Sequence, residues 1–237
     1  MNAEAQLIGP DVGRLARLLQ FADSTLPVGT FAFSQGLESA VQLNIVTDAA
    51  SLRDYLTLVL RQAAYMDGVA LLHACRAASA DDYEALLAAD NALWVRRVGE
   101  EQQMMLARMG RKFAELAAAI SPSPLLARWL RDIGSGATPG CLPVAQAIVL
   151  DSLGAHEAEA FTVHQYGLAS MILNAALRLM RIDHVATQKL LFEAQASTCG
   201  HYRAVRTLAL EEMSSFAPVF EVVVAHHRKT HLRLFMN

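Results

Sequence analysis

MMLARMGRKFAELAAAISPSP, residues 104–124, reads as a helix with a defined end. Met105, Met109, Phe113, Leu116 and Ile120 recur at steps of four, four, three and four. That spacing lines one face of a 3.6-residue spiral. Ser121-Pro122 stops the helix, because the residue before a proline is pushed out of the α region. Met104 falls off this stripe, which marks it as a contact residue. The three methionines here are also soft-ligand candidates, but a core stripe is the commoner use of such a pattern.

The same period extends outward. Leu52, Tyr55, Leu56, Val59, Leu60 and Ala63 form a second stripe, with Arg53, Asp54, Thr57, Arg61 and Gln62 on the other face. Ser51 and Asp54 have capping-box spacing, and Thr47 or Asp48 is an equal candidate to start that helix. Asp67-Gly68 reads as a break between two early helices, and the SPSP run at 121–124 as another. GSGATPGCLP (134–143) reads as a loop inside one helical domain rather than a linker between two. Beyond it, helices are expected near 143–154, 156–181, 184–197, 201–213 and 217–230. FEVVVAHH (220–227) is the one strand-like piece. The fold class is therefore all-α: a single domain of about ten helices over 1–237, with 1–12 and 230–237 as flexible tails.

Bulk composition narrows the function classes. The 237 residues suffice for a sizeable core, and 54% are hydrophobic. Mean hydropathy is +0.27, but the excess lies in Ala and Leu, which favour helices. A net charge of −3 and a pI near 6.2 give no footprint for a nucleic-acid partner. Short basic pairs such as Arg96-Arg97 read as solvated helix faces. Cys75, Cys141 and Cys199 are far apart and odd in number, which points to a reducing, cytoplasmic setting rather than a disulfide framework. The first residues lack the basic start and apolar run of a signal peptide. The uncharged windows 133–150 and 160–177 are broken by Pro and Gly or carry His164, Gln165 and Asn174. They read as buried helices, so no membrane partner is expected.

No pattern announces catalysis. GxSxG and a P-loop are both absent, and the acidic pairs Asp81-Asp82, Glu100-Glu101 and Glu211-Glu212 fall at helix starts, where the dipole favours them. His227 and His231 share a helical face at metal-pair spacing beside His226, but without HExxH. They and Cys199 with His201 remain weak metal candidates, and a polar helix end is the plainer reading. No cofactor is expected. A concealed enzyme site would need a deep pocket with convergent polar groups and shifted pKa values.

What remains is interaction surface, and it lies at the two ends. FADSTLPVGTFAFSQGLESAVQ (21–42) breaks the helical pattern with Pro27, Gly29, Ser34, Gln35 and Gly36, while carrying Phe31 and Phe33. Pro27 fixes φ, Gly29 permits an unusual angle, and Ser34 can cap a helix beginning around Gln35. HLRLFMN (231–237) sets Leu232, Leu234 and Phe235 in a tail expected to fray unless a partner orders it.

These ends carry a family resemblance. LLQFADSTLPVGTFAFSQGLE (18–38) resembles the opening signature of the urease accessory protein F family, UreF. That signature is a leucine-rich helix, a Leu-Pro-(Val/Ile)-Gly-Gly turn, and an aromatic-Ser-Gln-Gly-Leu-Glu helix start. Leu26, Pro27, Val28, Gly29, Ser34, Gln35, Gly36, Leu37 and Glu38 match it. ARMGRKF (107–113) is similar to the family's Met-Gly-Arg helix, and CLPVAQAIVLDSLG (141–154) to its His-Leu-Pro-Val helix. YGLASMILNAALRL (166–179) is similar to its Asn-x-x-x-Ala-x-Arg-Leu helix. Arg233, Leu234 and Phe235 match its Arg-Leu-Phe tail. Thr30 replaces the second turn glycine, Phe33 stands where Tyr or Trp is frequent, and 180–188 keeps only Gln188 of a Leu-Gly-Gln-x-x-Gly-Gln pattern. The chain looks like a divergent member.

The resemblance implies an all-helical, homodimeric, non-enzymatic chaperone. With UreD/UreH it would recruit the GTPase UreG to apo-urease for nickel insertion. The residues it marks for partner binding are Pro27, Gly29, Phe31, Phe33, Ser34, Gln35 and Glu38, with Arg233, Leu234 and Phe235 in the tail. The alternative is a nickel-carrying protein that uses its C-terminal histidines.

Overall fold

The computed structural model describes residues 3–23, 26–29, 33–97, 99–214 and 234–235, with side chains from Val12 onward. The described residues are 76% helical and contain no strand. Eleven α-helical segments follow one another: α1 (Ala3–Ala22), α2 (Leu37–Gln42), α3 (Ala49–Ala63), α4 (Val69–Ser79), α5 (Tyr83–Arg96), α6 (Glu100–Ile120), α7 (Pro124–Ser135), α8 (Leu142–Ser152), α9 (Glu157–Leu179), α10 (His184–Gln195) and α11 (Thr198–Val205). Segments that run on without an extended break merge, leaving nine rods among the described residues. The all-α expectation of about ten helices is thus met.

Local chemistry sets most helix ends. Asp48, not Ser51, starts α3: the Ser51 N–H donates to Asp48 Oδ1 at 2.8 Å, and the Asp48 N–H donates to Ser51 Oγ at 3.1 Å. This reciprocal pair is a capping box. Ser123 caps α7 by accepting from the Leu126 N–H at 3.2 Å, with Pro124 in the first turn. The 134–143 loop is shorter than its sequence suggests, because α7 runs to Ser135 and α8 starts at Leu142. The helix expected over 201–213 is instead α11 followed by a separate 3₁₀ turn, Leu210–Glu212.

Two readings are corrected. Asp67-Gly68 does not break the chain. Residues Ala64–Gly68 form a π-turn that joins α3 to α4 without a gap. The cause is tertiary: Asp67 is buried and ion-paired with Arg97, thirty residues on. Arg97 is correspondingly buried rather than solvated. A turn-like dipeptide loses to a buried partner that local pattern cannot show.

α8 is the axis of the fold. Every residue from Pro143 to Leu150 is buried, as expected of a helix apolar all round. It packs chiefly against α4 and α6. The main core gathers around it from α4, α5, α6, α7 and the start of α9. A second core joins α2, α3, α10, the far half of α9 and Phe235. Phe33, Met105, Met109 and Met171 form a small third cluster.

Gly110 explains the Met-Gly-Arg stretch of α6. A Cβ there would lie 2.1 Å from the Gly140 carbonyl oxygen, 2.6 Å from Leu142 N and 2.7 Å from Cys141 C. All three are backbone atoms, so they cannot swing aside. Gly110→Ala is expected to lower stability by about 1–3 kcal/mol, although alanine is the better helix former. Urea unfolding of the variant checks this, and an unchanged midpoint would refute the close approach.

Candidate interaction site and cleft

The opening turn divides its residues between support and display. Pro27 and Gly29 are exposed, Gly29 with φ +88° and open space where a Cβ would stand. Phe33 is buried against the methionines of α6 and α9. Ser34 is fully buried, and its Oγ accepts the Glu38 N–H at 3.3 Å. α2 starts at Leu37 rather than near Gln35, because Gln35 and Gly36 both take positive φ, 53° and 79°. A glutamine in that left-handed region is strained relative to glycine. Burial holds it there: the Tyr55 hydroxyl donates to the Gln35 carbonyl at 2.6 Å, and burial pushes the Tyr55 pKa up, so the hydroxyl keeps its proton.

Glu38 joins the two ends of the chain. Its Oε1 accepts the Leu234 N–H at 2.7 Å, and its Oε2 accepts the Phe235 N–H at 3.1 Å. Phe235 is buried in the second core, and the Arg178 guanidinium carbon lies 3.9 Å over its ring centre. That is cation–π distance. Leu234, next to it, is 72% exposed. Of the sequence candidates, Phe31, Arg233, His227 and His231, with His226, lie outside the described residues. Cys199 is exposed and His201 partly buried on α11, and no group of three His, Cys, Asp or Glu able to hold a metal occurs among the described residues.

Beside the turn lies a cleft that the sequence did not announce. Phe21 and Val28 close one side, α6 contributes Met105, Met109 and Phe113, and α8 contributes Gln146. α9 lines it with a stripe of His164, Gly167, Leu168, Met171, Asn174 and Arg178, spaced as one helical face. Asp67 and Arg97 complete the lining. His164 Nδ1 sits 2.8 Å from Gln146 Oε1, and burial pushes its pKa below the ordinary 6.5. The hint was His164 itself, a polar residue inside an uncharged window. Its partners on other helices were not legible. The cleft is the deep pocket a concealed enzyme would need, but its described lining holds no Ser, Thr, Cys, Lys or Tyr, and the carboxylate of Asp67 is committed to Arg97.

Comparison with known proteins places this geometry. The UreF family model matches residues 46–195, more than half of the chain. A protein named urease accessory protein UreF 2 from Brucella canis is 46% identical over 223 residues, covering 94% of this chain and 92% of its own length. The UreF 1 of Brucella melitensis biotype 1 is 45% identical over the same coverage.

The chain belongs to the UreF family.

A urease accessory protein UreF from Yersinia pseudotuberculosis serotype IB is 43% identical, over 94% of this chain and 98% of its own length. A match of 223 residues in a chain of 237 must take in the whole opening turn. The family model begins only at residue 46, so the turn and the tail that Glu38 ties to it lie outside the part this model covers. No described helix is long and apolar enough to cross a membrane.

Proposed function

We propose that this UreF-family chain is a urease accessory protein: a cytoplasmic, homodimeric assembly chaperone without catalysis of its own. With UreD/UreH it recruits the GTPase UreG to apo-urease for nickel insertion. The observation that carries the reading is the Glu38 clasp. It ties the C-terminal tail to the helix that follows the opening turn, and so links the two segments the family resemblance marks for partner binding. Exposed Pro27, Gly29 and Leu234 are the contacts those segments offer. Phe33, Ser34 and Gln35 act beneath them by fixing the turn's shape, and Phe31 and Arg233 belong to the same two segments. A pre-shaped surface loses less entropy on binding than a loose one.

The test is co-expression with UreD/UreH and UreG from the same organism, followed by size-exclusion chromatography with light scattering. The wild-type chain is expected in a stable complex containing two copies. Glu38→Ala removes both acceptors of the tail N–H groups, while Ser34 and Tyr55 still hold the turn. It is expected to weaken the complex at least tenfold, the equivalent of about 1.4 kcal/mol, with the far-ultraviolet circular dichroism unchanged. A wild-type chain that ignores both partners would refute the function. A complex indifferent to Glu38→Ala would refute the clasp's part in it.

A further inference from the structure

Next to the clasp, an open groove of ≈ 480 Å³ runs between the α2–α3 connector and the end of α9. Its floor is apolar. Val46 is buried, and Val41, Leu179 and Met180 are half-buried at the edge of the second core. Its rim is cationic, with Arg178 and Arg181 both exposed. The rest of the lining, Asn44 and Thr47, is neutral, so the groove carries two positive charges and no carboxylate.

The two arginines differ in what they already hold. The Arg178 guanidinium stacks on Phe235 at 3.9 Å, and Glu38 supplies negative charge to it. Arg181 makes no ion pair or hydrogen bond with the described residues. The carboxylates nearest to the groove in sequence are engaged at their own helix starts. Asp183 Oδ1 accepts the Ala186 N–H at 2.7 Å, and Asp48 Oδ1 accepts the Ser51 N–H at 2.8 Å. The dipole of α9 accounts for a cation at its C-terminus, but not for an apolar floor left open beside it.

The floor decides what kind of anion fits. Leu43 and Ile45, on the same connector, are 41% and 47% exposed, so apolar surface continues past the groove. A bare anion would leave that surface wet. A ligand matched to both features sets aliphatic side chains beside negative charge, and arginine is the side chain best shaped to take a carboxylate at an interface. Because Arg178 belongs both to the rim and to the packing of Phe235, the groove is continuous with the clasp.

We propose that the groove docks an acidic, aliphatic segment of a partner protein, with its apolar side chains on Val41, Val46 and Met180 and a carboxylate on Arg181. This rests on the reading of the clasp as an interaction surface and adds the chemistry of the segment that meets it.

The probe is a labelled heptapeptide, Glu-Leu-Glu-Leu-Glu-Leu-Glu, acetylated and amidated, titrated into the full chain by fluorescence anisotropy. Saturable binding is expected, at least about fivefold tighter than for the same peptide with Gln in place of Glu or with Ser in place of Leu. Arg181→Glu alters an exposed residue with no partner to lose, so the fold is kept. It is expected to weaken the acidic peptide at least about tenfold, through lost attraction and new repulsion. Lys112→Glu makes the same change in net charge at an exposed cation of α6 outside the groove and is expected to leave binding unchanged. Inorganic phosphate, matched to chloride in ionic strength, should not displace the peptide. No saturable binding, equal affinity for either altered peptide, equal losses from Arg181→Glu and Lys112→Glu, or displacement by phosphate would each overturn the proposal. A wild-type dimer that Arg181→Glu splits into monomers would make the occupant a second copy of this chain and overturn it too. The assay contains no urease protein. A chain that binds the peptide but ignores UreD/UreH therefore keeps the groove and loses the proposed function, whereas one that enters the complex but ignores the peptide loses the groove alone.

Discussion

Asp90→Ala is expected to destabilise the chain by about 3–5 kcal/mol, a large part of the 5–15 kcal/mol that holds a typical domain folded. Asp90 lies on α5 with no exposed surface. Its Oδ2 accepts from the Thr138 hydroxyl at 2.6 Å and the Gly140 N–H at 3.0 Å, and its Oδ1 accepts from the Cys141 N–H at 2.9 Å. These three donors are the connection from α7 into α8, the most buried helix of the fold. Alanine would strand all of them. Each orphaned buried donor costs about 1–3 kcal/mol. The damage would not stay local, because Gly140 and Cys141 also form the backbone surface on which Gly110 of α6 rests. Thr138→Val, which removes one donor together with its demand for an acceptor, should cost much less, about 1 kcal/mol. Urea unfolding of both variants checks the pair. A loss below 1 kcal/mol for Asp90→Ala would mean that the loop is held by packing alone.

Asp90 also shows where sequence reading stops. The stripes on α3 and α6 were legible because a helix in contact with a core must repeat with its own period. Ser121-Pro122 was legible as the end of α6 because its effect is local. Asp90 was not, because nothing near it in sequence says that a loop fifty residues on will present three donors. Asp67-Gly68 was misread for the same reason. Its local chemistry says turn, and only Arg97 turns it into a π-turn within a continuous helix. The opening turn was legible as an irregular, shaped segment, since Pro27, Gly29 and Gly36 mark it. Its link to the tail was not, since Glu38 and Phe235 meet only in three dimensions. The cleft was the least legible of all. Its lining comes from seven separate stretches between Phe21 and Arg178, and the helical stripes among them also serve an ordinary core.

The Asp67–Arg97 pair gives the other large effect. Asp67→Ala leaves the Arg97 guanidinium buried without that carboxylate, its side chain only 6% exposed. Removing one partner of a buried pair costs about 3–5 kcal/mol, because the charge left behind has no water to turn to. Replacing both is a different experiment. Asp67→Leu with Arg97→Met removes the two desolvation costs together, and such apolar exchanges are often neutral. The double variant is therefore expected to be more stable than Asp67→Leu alone by at least about 2 kcal/mol, a strong coupling in a double-mutant cycle. Chemical denaturation of the wild type, Asp67→Leu, Arg97→Met and the double variant measures it directly. The cycle also separates two roles for the pair. If it serves only stability, the double variant should keep the hydrogen-exchange protection of the Ala64–Gly68 amides. If it also holds the π-turn in shape, the double variant should fold but lose that protection. A π-turn costs a helix one regular hydrogen-bonding register, so loss of protection with retained stability is the expected result. Additive single and double effects would show instead that the pair contributes nothing beyond two independent side chains.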